Sequence, residues 1–261
     1  MKIAVCVKQV PDTSEVKLNK ETGTMVREGV PSILNPFDSY AVEEAISLKE
    51  KFGGSVTAVT MGPPQAADTL KDVVAMGVDE VMLLSDRAFA GADTWATSYT
   101  LGLGLKKAGG FDLIICGKQA IDGDTAQVGP GVAVNLGLPF VAYVRKIEEV
   151  SDGLMRVQRL IEDGYEVVEV KLPAVITVVK EINTPRMASL KGKMKAKKLE
   201  IAPLDGAALG ALPDNIGLAG SPTKVVKVFT PPPKGKRETI EGEPREQAEK
   251  LVAKLAEMKV V

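Results

Sequence analysis

The residues best suited to chemistry form one run, Cys116-Gly117-Lys118-Gln119-Ala120-Ile121-Asp122-Gly123-Asp124-Thr125-Ala126-Gln127-Val128-Gly129-Pro130. It follows Phe111-Asp112-Leu113-Ile114-Ile115, an apolar stretch of buried-strand length, and precedes Val132-Ala133-Val134-Asn135-Leu136, which reads as a helix body. A strand-to-helix turn with glycines at 117, 123, 129 and 131 presents free backbone N–H groups at the positive end of a helix dipole. Phosphates bind at such turns without a basic side chain. The plainer reading is a helix start capped by Asp124, with Gln127 three positions on as its capping-box partner. Glycine-rich turns are common in α/β folds, so spacing alone leaves both readings open. Asp122 and Asp124 have the types of a metal pair or an acid/base pair, but residue preferences at helix starts favour capping and turn formation.

Absences narrow the chemistry further. The chain contains no histidine, which removes the commonest general base, the Ser-His-Asp arrangement and most zinc sites. Two cysteines without histidine do not make a typical structural zinc site. What chemistry there is must rest on carboxylates, lysines, hydroxyls or a bound cofactor. There is no Gly-x-x-x-x-Gly-Lys-Ser/Thr sequence, which disfavours ATP hydrolysis, and no proper Gly-x-Gly-x-x-Gly fingerprint; Gly102-Leu103-Gly104 falls inside an expected helix. With 33 basic and 34 acidic side chains, net charge gives no reason to expect nucleic acid or an anionic membrane as partner. No apolar run approaches a membrane span. Met1-Lys2-Ile3-Ala4-Val5-Cys6-Val7 is strand-like rather than a signal peptide. The expectation is a cytoplasmic protein with Cys6 and Cys116 as buried thiols.

The elements that must position the turn are legible. At 261 residues and 45% hydrophobic, the chain has material for a full core in one or two domains. Residues 2–8 read as a first strand. Glu15-Val16-Lys17-Leu18 and Thr24-Met25-Val26-Arg27, around Lys20-Glu21-Thr22-Gly23, read as a hairpin. Asn35-Pro36-Phe37-Asp38 opens a helix, with Asn35 suited to the N-cap and Pro36 to the first helical position. Ser55 to Thr60 is a core strand ending in the turn Met61-Gly62-Pro63-Pro64-Gln65, and a helix is expected over about 65–76. Val81 to Leu84 is a third strand. The loop Ser85 to Ala92 leads to Asp93, a good N-cap for a helix over about 94–108. This alternation predicts a doubly wound, mainly parallel sheet of the α/β class. Three strand-to-helix turns, at 35–38, 61–65 and 117–128, then fall at the carboxyl ends of parallel strands, where open α/β sheets bind ligands.

After Pro139 three short strand-like runs are separated by Ser151-Asp152-Gly153 and Glu162-Asp163-Gly164, which predicts an antiparallel edge, followed by a last core strand over 174–179. Residues 1–185 are read as the α/β nucleotide-binding domain. Arg186 to Lys198 then carries Arg186, Lys191, Lys193, Lys195, Lys197 and Lys198 with no acidic residue. It holds no aromatic residue for base stacking. Interleaved with Met187, Leu190 and Met194, it reads either as a docking surface for an acidic protein or as a solvated loop. Pro231-Pro232-Pro233 is a stiff break, and 244–258 an amphipathic helix. Residues 186–261 lack a core of their own and read as an extended arm ending in a helix, which either packs on another surface such as a partner subunit or folds back on its own domain.

Taken together, the chain resembles the beta subunit of electron-transfer flavoproteins over nearly its whole length. The resemblance is carried by Val7-Lys8-Gln9-Val10-Pro11-Asp12, Asn35-Pro36-Phe37-Asp38 with Ala41-Val42-Glu43-Glu44-Ala45, Met61-Gly62-Pro63-Pro64-Gln65, Gly117-Lys118-Gln119-Ala120-Ile121-Asp122, and Pro185-Arg186 with Met194-Lys195-Ala196-Lys197-Lys198. It implies a heterodimer with an FAD-holding alpha subunit, the arm packing on that subunit. It also implies a nucleotide site in this chain at Cys6, Asn35, Pro36, Phe37, Asp38, Met61, Gly117, Gln119, Ala120, Ile121, Asp122, Gly123, Asp124, Thr125, Ala126, Gln127 and Val128. A recognition loop around Leu190, with Arg186, Lys195 and Lys198, would dock an acyl-CoA dehydrogenase. One branch of the family holds structural AMP in this site. The bifurcating branch holds FAD, takes hydride from NADH, and divides electrons between ferredoxin or flavodoxin and the alpha-subunit FAD. Gly123 to Pro130 and Asp86 to Thr94 resemble the bifurcating branch; Phe89, Gly91, Asp93, Thr94 and Thr97 join the expected site, small residues leaving room for an isoalloxazine ring and a nicotinamide. Met194 to Lys198 look more like the conventional branch. From a different class, a free-standing adenine-nucleotide-binding α/β protein is the rival, and the coreless arm argues against it.

Overall fold

In the computed structural model the described residues are 1–12, 17–18, 25–26, 31–226, 235 and 238–260. The chain divides into two units, Met1–Val226 and Lys227–Val261.

The first unit is built on β1 (Lys2–Cys6), β2 (Gln9–Pro11), β3 (Lys17–Leu18), β4 (Met25–Val26), β5 (Ser32–Leu34), α1 (Pro36–Phe52), β6 (Ser55–Met61), α2 (Ala66–Met76), β7 (Glu80–Leu84), α3 (Thr94–Lys107), β8 (Leu113–Gly117), α4 (Val128–Leu136), β9 (Phe140–Ser151), β10 (Leu154–Ile161), β11 (Gly164–Lys171), β12 (Ala174–Val178), α5 (Leu190–Lys197), β13 (Pro203–Leu204) and α6 (Gly206–Leu209). One nine-stranded sheet runs β11-β10-β9-β12-β8-β1-β6-β7-β13. From β9 to β13 its neighbours pair in parallel; β9, β10 and β11 pair antiparallel. The α/β expectation with an antiparallel edge holds, and that edge continues the main sheet.

The central strands are apolar on both faces because helices cover both. In β1, Ile3 and Val5 face the core shared with α1 and α2, while Ala4 and Cys6 face the core shared with α3 and α4. In β8, Leu113 and Ile115 take the first side and Ile114 and Cys116 the second. The Asp-Gly turn between β9 and β10 has both residues at positive φ, 51° for Asp152 and 75° for Gly153, the backbone a tight two-residue hairpin needs. β3 and β4 pair antiparallel through Lys17 with Val26 and Leu18 with Met25. The expected turn Lys20 to Gly23 lies outside the described residues, as does Pro231-Pro232-Pro233.

Strand order sets the site. From β1 the chain steps outward to β6 and β7, then returns to place β8 on the other side of β1. Connections therefore leave β1 and β8 in opposite directions, opening a crevice at their carboxyl ends.

Residues after 186 add to the first unit up to Val226. α5 packs on α2, and β13 extends the sheet beside β7 through Pro203 with Leu83 and Leu204 with Leu84. In the second unit, α7 (Pro244–Glu257) buries no residue, and Leu251, Val252 and Met258 stand exposed. No described helix is long and apolar enough to cross a membrane.

Candidate nucleotide site

At the crevice Cys6 ends β1 in direct register with Cys116 of β8, and both are buried free thiols. A hydrogen bond with Cys6 and burial push the Cys116 thiol up, as does nearby Asp38, so it is held as an un-ionised thiol and not a nucleophile.

Asn35 sits at the N-cap of α1, as its sequence position suggests, but its side chain makes no cap bond. Instead its Nδ2 donates to Asp38 Oδ1 and to the Gln119 carbonyl, each at 2.9 Å, and its Oδ1 accepts from the Ile121 amide at 3.2 Å. Asn35 thereby stitches the start of α1 to the loop after β8. Asp38 Oδ2 accepts from the Lys8 amide at 2.7 Å. Burial pushes the Asp38 carboxyl up to about 7, against the lowering pull of Asn35, the Lys8 amide and charge, and the Gly117 amide. A side chain at Gly117 would overlap Asp38 Oδ1 and put its Cβ 2.7 Å from the Phe37 carbonyl carbon, so the two loops close up only around a glycine. Met61 ends β6 half-buried, and the turn after it, with Ala66 N donating to the Pro63 carbonyl at 2.9 Å, brings α2 in at the same edge.

The loop from 118 to 127 departs from the sequence expectation. α4 begins at Val128; Gln127 occupies its N-cap position with no side-chain cap bond, and the expected capping box of Asp124 and Gln127 does not form. Asp124 and Ala126 adopt φ of 51° and 55°, so the chain turns in the left-handed region before entering the helix, and Asp124 ends up too early to cap it. Its amide donates to the Ala120 carbonyl at 2.8 Å and its carboxylate accepts from Gln119 Nε2. Asp122 pairs with Lys8 at 2.7 Å. Among the described residues, the amides of Thr125, Ala126, Gln127, Val128 and Gly129 have no protein acceptor. A row of open N–H groups leading into a helix N-terminus makes this loop a candidate anion cradle.

The second group of expected residues is built differently. Phe89 is buried in the core with Leu84, Leu209 and Ile216. Asp93 caps α3, its Oδ1 accepting from Trp95 N at 2.9 Å and Ala96 N at 3.1 Å, and its Oδ2 accepting from the amide and hydroxyl of Thr223 at 3.0 and 2.9 Å. Partial burial pushes that carboxyl up, but these bonds outweigh it and hold it below the usual carboxylate range. Phe89 and Asp93 therefore hold the loop and the arm together. Gly91 is exposed, and Thr94 and Thr97 are half-buried in the first turn of α3. That turn is tied to the cradle helix by Ser98, whose Oγ donates to the Thr94 carbonyl at 2.6 Å and the Val128 carbonyl at 3.2 Å; Gly131 supplies the space.

A family profile described as "Electron transfer flavoprotein domain" matches residues 22–209. The chain belongs to the electron transfer flavoprotein family. It is 52% identical over 263 residues to the caffeyl-CoA reductase-Etf complex subunit CarD of Acetobacterium woodii, covering 100% of each chain. It is 50% identical over 257 residues to the electron transfer flavoprotein subunit beta of Clostridium acetobutylicum, covering 98% of each, and 45% identical over 269 residues to the acryloyl-CoA reductase electron transfer subunit gamma of Anaerotignum propionicum, covering 100% of each.

Within this electron transfer flavoprotein chain the expected docking residues sit apart from the cradle. The basic run, read from sequence either as a docking surface or as a solvated loop, forms α5 over Leu190–Lys197, capped by Ser189 Oγ accepting from the Gly192 amide at 3.0 Å. Met187 is 92% exposed, Leu190 78% and Met194 58%, with Lys191, Lys193, Lys195 and Lys198 exposed around them. Arg186 is not a free cation. Its Nε lies 2.9 Å from Glu43 Oε2 and its Nη1 2.6 Å from Glu50 Oε1. Two residues at the cradle were not singled out from the sequence. Lys8 had a readable signal, as the last residue of the run read as the first strand, where crevice residues fall; Ser98, inside a helix, had none.

Proposed function

We propose that the chain is the beta subunit of a heterodimeric electron-transfer flavoprotein of the bifurcating kind, with FAD in the crevice. The observation that carries this is the row of open amides from Thr125 to Gly129 at the switch point, beside loops locked through Asn35, Asp38 and Gly117. The residues fit a dinucleotide: a row of open amides offers donors to a phosphate, Gly123 has open space around it, and the Cys116 thiol at the crevice floor is held un-ionised. FAD bound there would supply two-electron exchange with NADH and single-electron transfer onward. On this reading Thr125, Ala126, Gln127 and Val128 hold phosphate. Asn35, Pro36, Phe37, Asp38, Gln119, Ala120, Ile121 and Asp122 keep the loop in place, and Cys6 and Met61 form the floor. Gly91, Thr94 and Thr97 leave room for the ring and a nicotinamide.

The chain itself contributes binding and orientation, with no amino-acid nucleophile or acid/base residue. Electrons leave to ferredoxin or flavodoxin and, through an alpha subunit, to an acyl-CoA dehydrogenase. The relatives named for caffeyl-CoA reductase and acryloyl-CoA reductase support that last coupling. The exposed Met187, Leu190 and Met194 among lysines suit the dehydrogenase contact, and α7 of the second unit, with Leu251, Val252 and Met258 exposed, suits the alpha subunit. The test is acid extraction of the purified heterodimer followed by titration with NADH. Two FAD and flavin bleaching by NADH are expected. One FAD with one AMP, and no reaction with NADH, would move the chain to the conventional branch.

A further inference from the structure

We propose a second anion subsite beside the cradle, formed by Lys118 and Arg145, for the further phosphate of a nucleotide diphosphate. It rests on the dinucleotide reading of the cradle. Lys118 directly follows Gly117, and its amide donates to the Val178 carbonyl at 2.9 Å, so it stands at the same carboxyl edge of the sheet. Its ammonium lies over the Tyr143 ring, 5.4 Å from the centroid. Two residues further along β9, the Arg145 guanidinium lies over Tyr165, 5.1 Å from its centroid. Aromatic faces hold a cation in place without neutralising it.

Both charges are uncompensated. The other arginines of the ribbon have acidic partners, Arg156 with Glu148 at 3.2 Å and Arg159 with Glu166 at 3.6 Å. Among the described residues neither Lys118 nor Arg145 has an ion pair or donates a side-chain hydrogen bond, and Arg145 Nε, like that of Arg159, is closed off from solvent with no acceptor, but Arg145 has no carboxylate on its other nitrogens. Such an orphan donor on a cation calls for an explanation. The backbone adds one. Tyr143 is held at φ 59°, a conformation bulky residues rarely adopt, and its amide donates to Thr177 Oγ1 at 3.1 Å, next to a register shift between β9 and β12. Bulges of this kind re-aim side chains beside functional sites. A row of amides that takes one phosphate, flanked by two unneutralised cations at the same edge, suits a diphosphate better than a lone phosphate.

Calorimetric titration of the full-length, nucleotide-free chain with AMP and with ADP-ribose tests this. Wild type should bind ADP-ribose about tenfold more tightly than AMP. The double variant Lys118→Gln/Arg145→Gln should bind AMP as wild type does but lose that preference, and Arg145→Lys, which keeps the charge, should retain most of it. A double variant with the wild-type preference overturns the subsite while leaving the cradle reading intact; a wild-type chain that binds neither probe overturns both. Flavin content of the double variant purified with its alpha subunit separates two sources of diphosphate. Wild-type flavin content assigns the subsite to a visiting nicotinamide dinucleotide, and flavin loss assigns it to the resident flavin.

Discussion

The Lys8 ammonium lies 2.7 Å from Asp122 Oδ1 and 2.9 Å from Oδ2, joining the end of β1 to the cradle loop across 114 residues of sequence. Lys8 is 47% exposed, so the pair adds little to stability, ~0.5 kcal/mol. Its effect is on the loop. Asp122→Asn should leave the melting temperature within a degree or two and raise the dissociation rate of bound nucleotide several-fold. The wild-type rate should also rise with salt, because exposed charges are screened. Stopped-flow dissociation of AMP at two ionic strengths measures both; identical rates in the variant and wild type would remove the latch.

Asp38 gives the fold a pH dependence. Burial raises its folded value to about 7 from the ordinary 3.8, so the folded state holds the proton more tightly than the unfolded chain. Stability therefore falls as pH rises from about 4 towards 7, by roughly 1.4 kcal/mol for each unit of difference between the two values. Lys8 and Cys116 face the same carboxyl. Asp38→Asn removes the titrating proton, and whatever it does to absolute stability, denaturant melts from pH 4.5 to 7.5 should lose this slope. A slope that survives in the variant belongs to another group.

Arg186 should behave as a structural clamp. Burial alone would raise Glu43, but the hydrogen bonds and charge of Arg186 outweigh it and hold that carboxyl below its ordinary 4.5. The stabilisation is thus present above pH 4.5 and lost as pH falls below it. Arg186→Ala leaves Glu43 buried and unpaired, at a cost of about 2 kcal/mol, less than for a fully buried pair because the Arg186 side chain is 31% exposed. Chemical denaturation at pH 7 checks the size. A loss of dehydrogenase affinity with unchanged stability would instead make Arg186 a contact residue.

These relationships mark where the sequence was readable and where it was not. The parallel core was legible because apolar runs of strand length alternate with helical stripes, and the β9–β11 ribbon because Asp-Gly pairs punctuate it. Strand-to-helix turns at one edge are what point to a candidate site there. The start of α4 was misread because Asp124 and Ala126 go left-handed, a choice local preferences do not favour, so a plausible cap became a loop contact to Gln119. Asn35 was placed correctly, but its side chain is spent on a loop 84 residues away, which no local pattern encodes. Arg186 reads as one of a basic run with no acidic neighbour because Glu43 and Glu50, more than 130 residues earlier, enter only through folding.

Two glycines of the cradle separate packing from binding. At Gly117 a Cβ would overlap Asp38, whereas at Gly123 nothing lies within 4 Å. Gly117→Ala should cost roughly 1–3 kcal/mol through overpacking and weaken the Asn35–Gln119 stitch along with nucleotide binding. Gly123→Ala has space in the protein and stands at neither a positive φ nor a buried position, so its melting temperature should match wild type. If a nucleotide occupies the cradle, the added methyl meets the ligand instead, and affinity should fall about tenfold with stability intact. Calorimetry and thermal melts on the same two variants give both readouts. Unchanged affinity in Gly123→Ala would mean that the ligand lies against Thr125 to Gly129 without touching the preceding turn, which would shorten the site to the helix end and weaken the case for a dinucleotide.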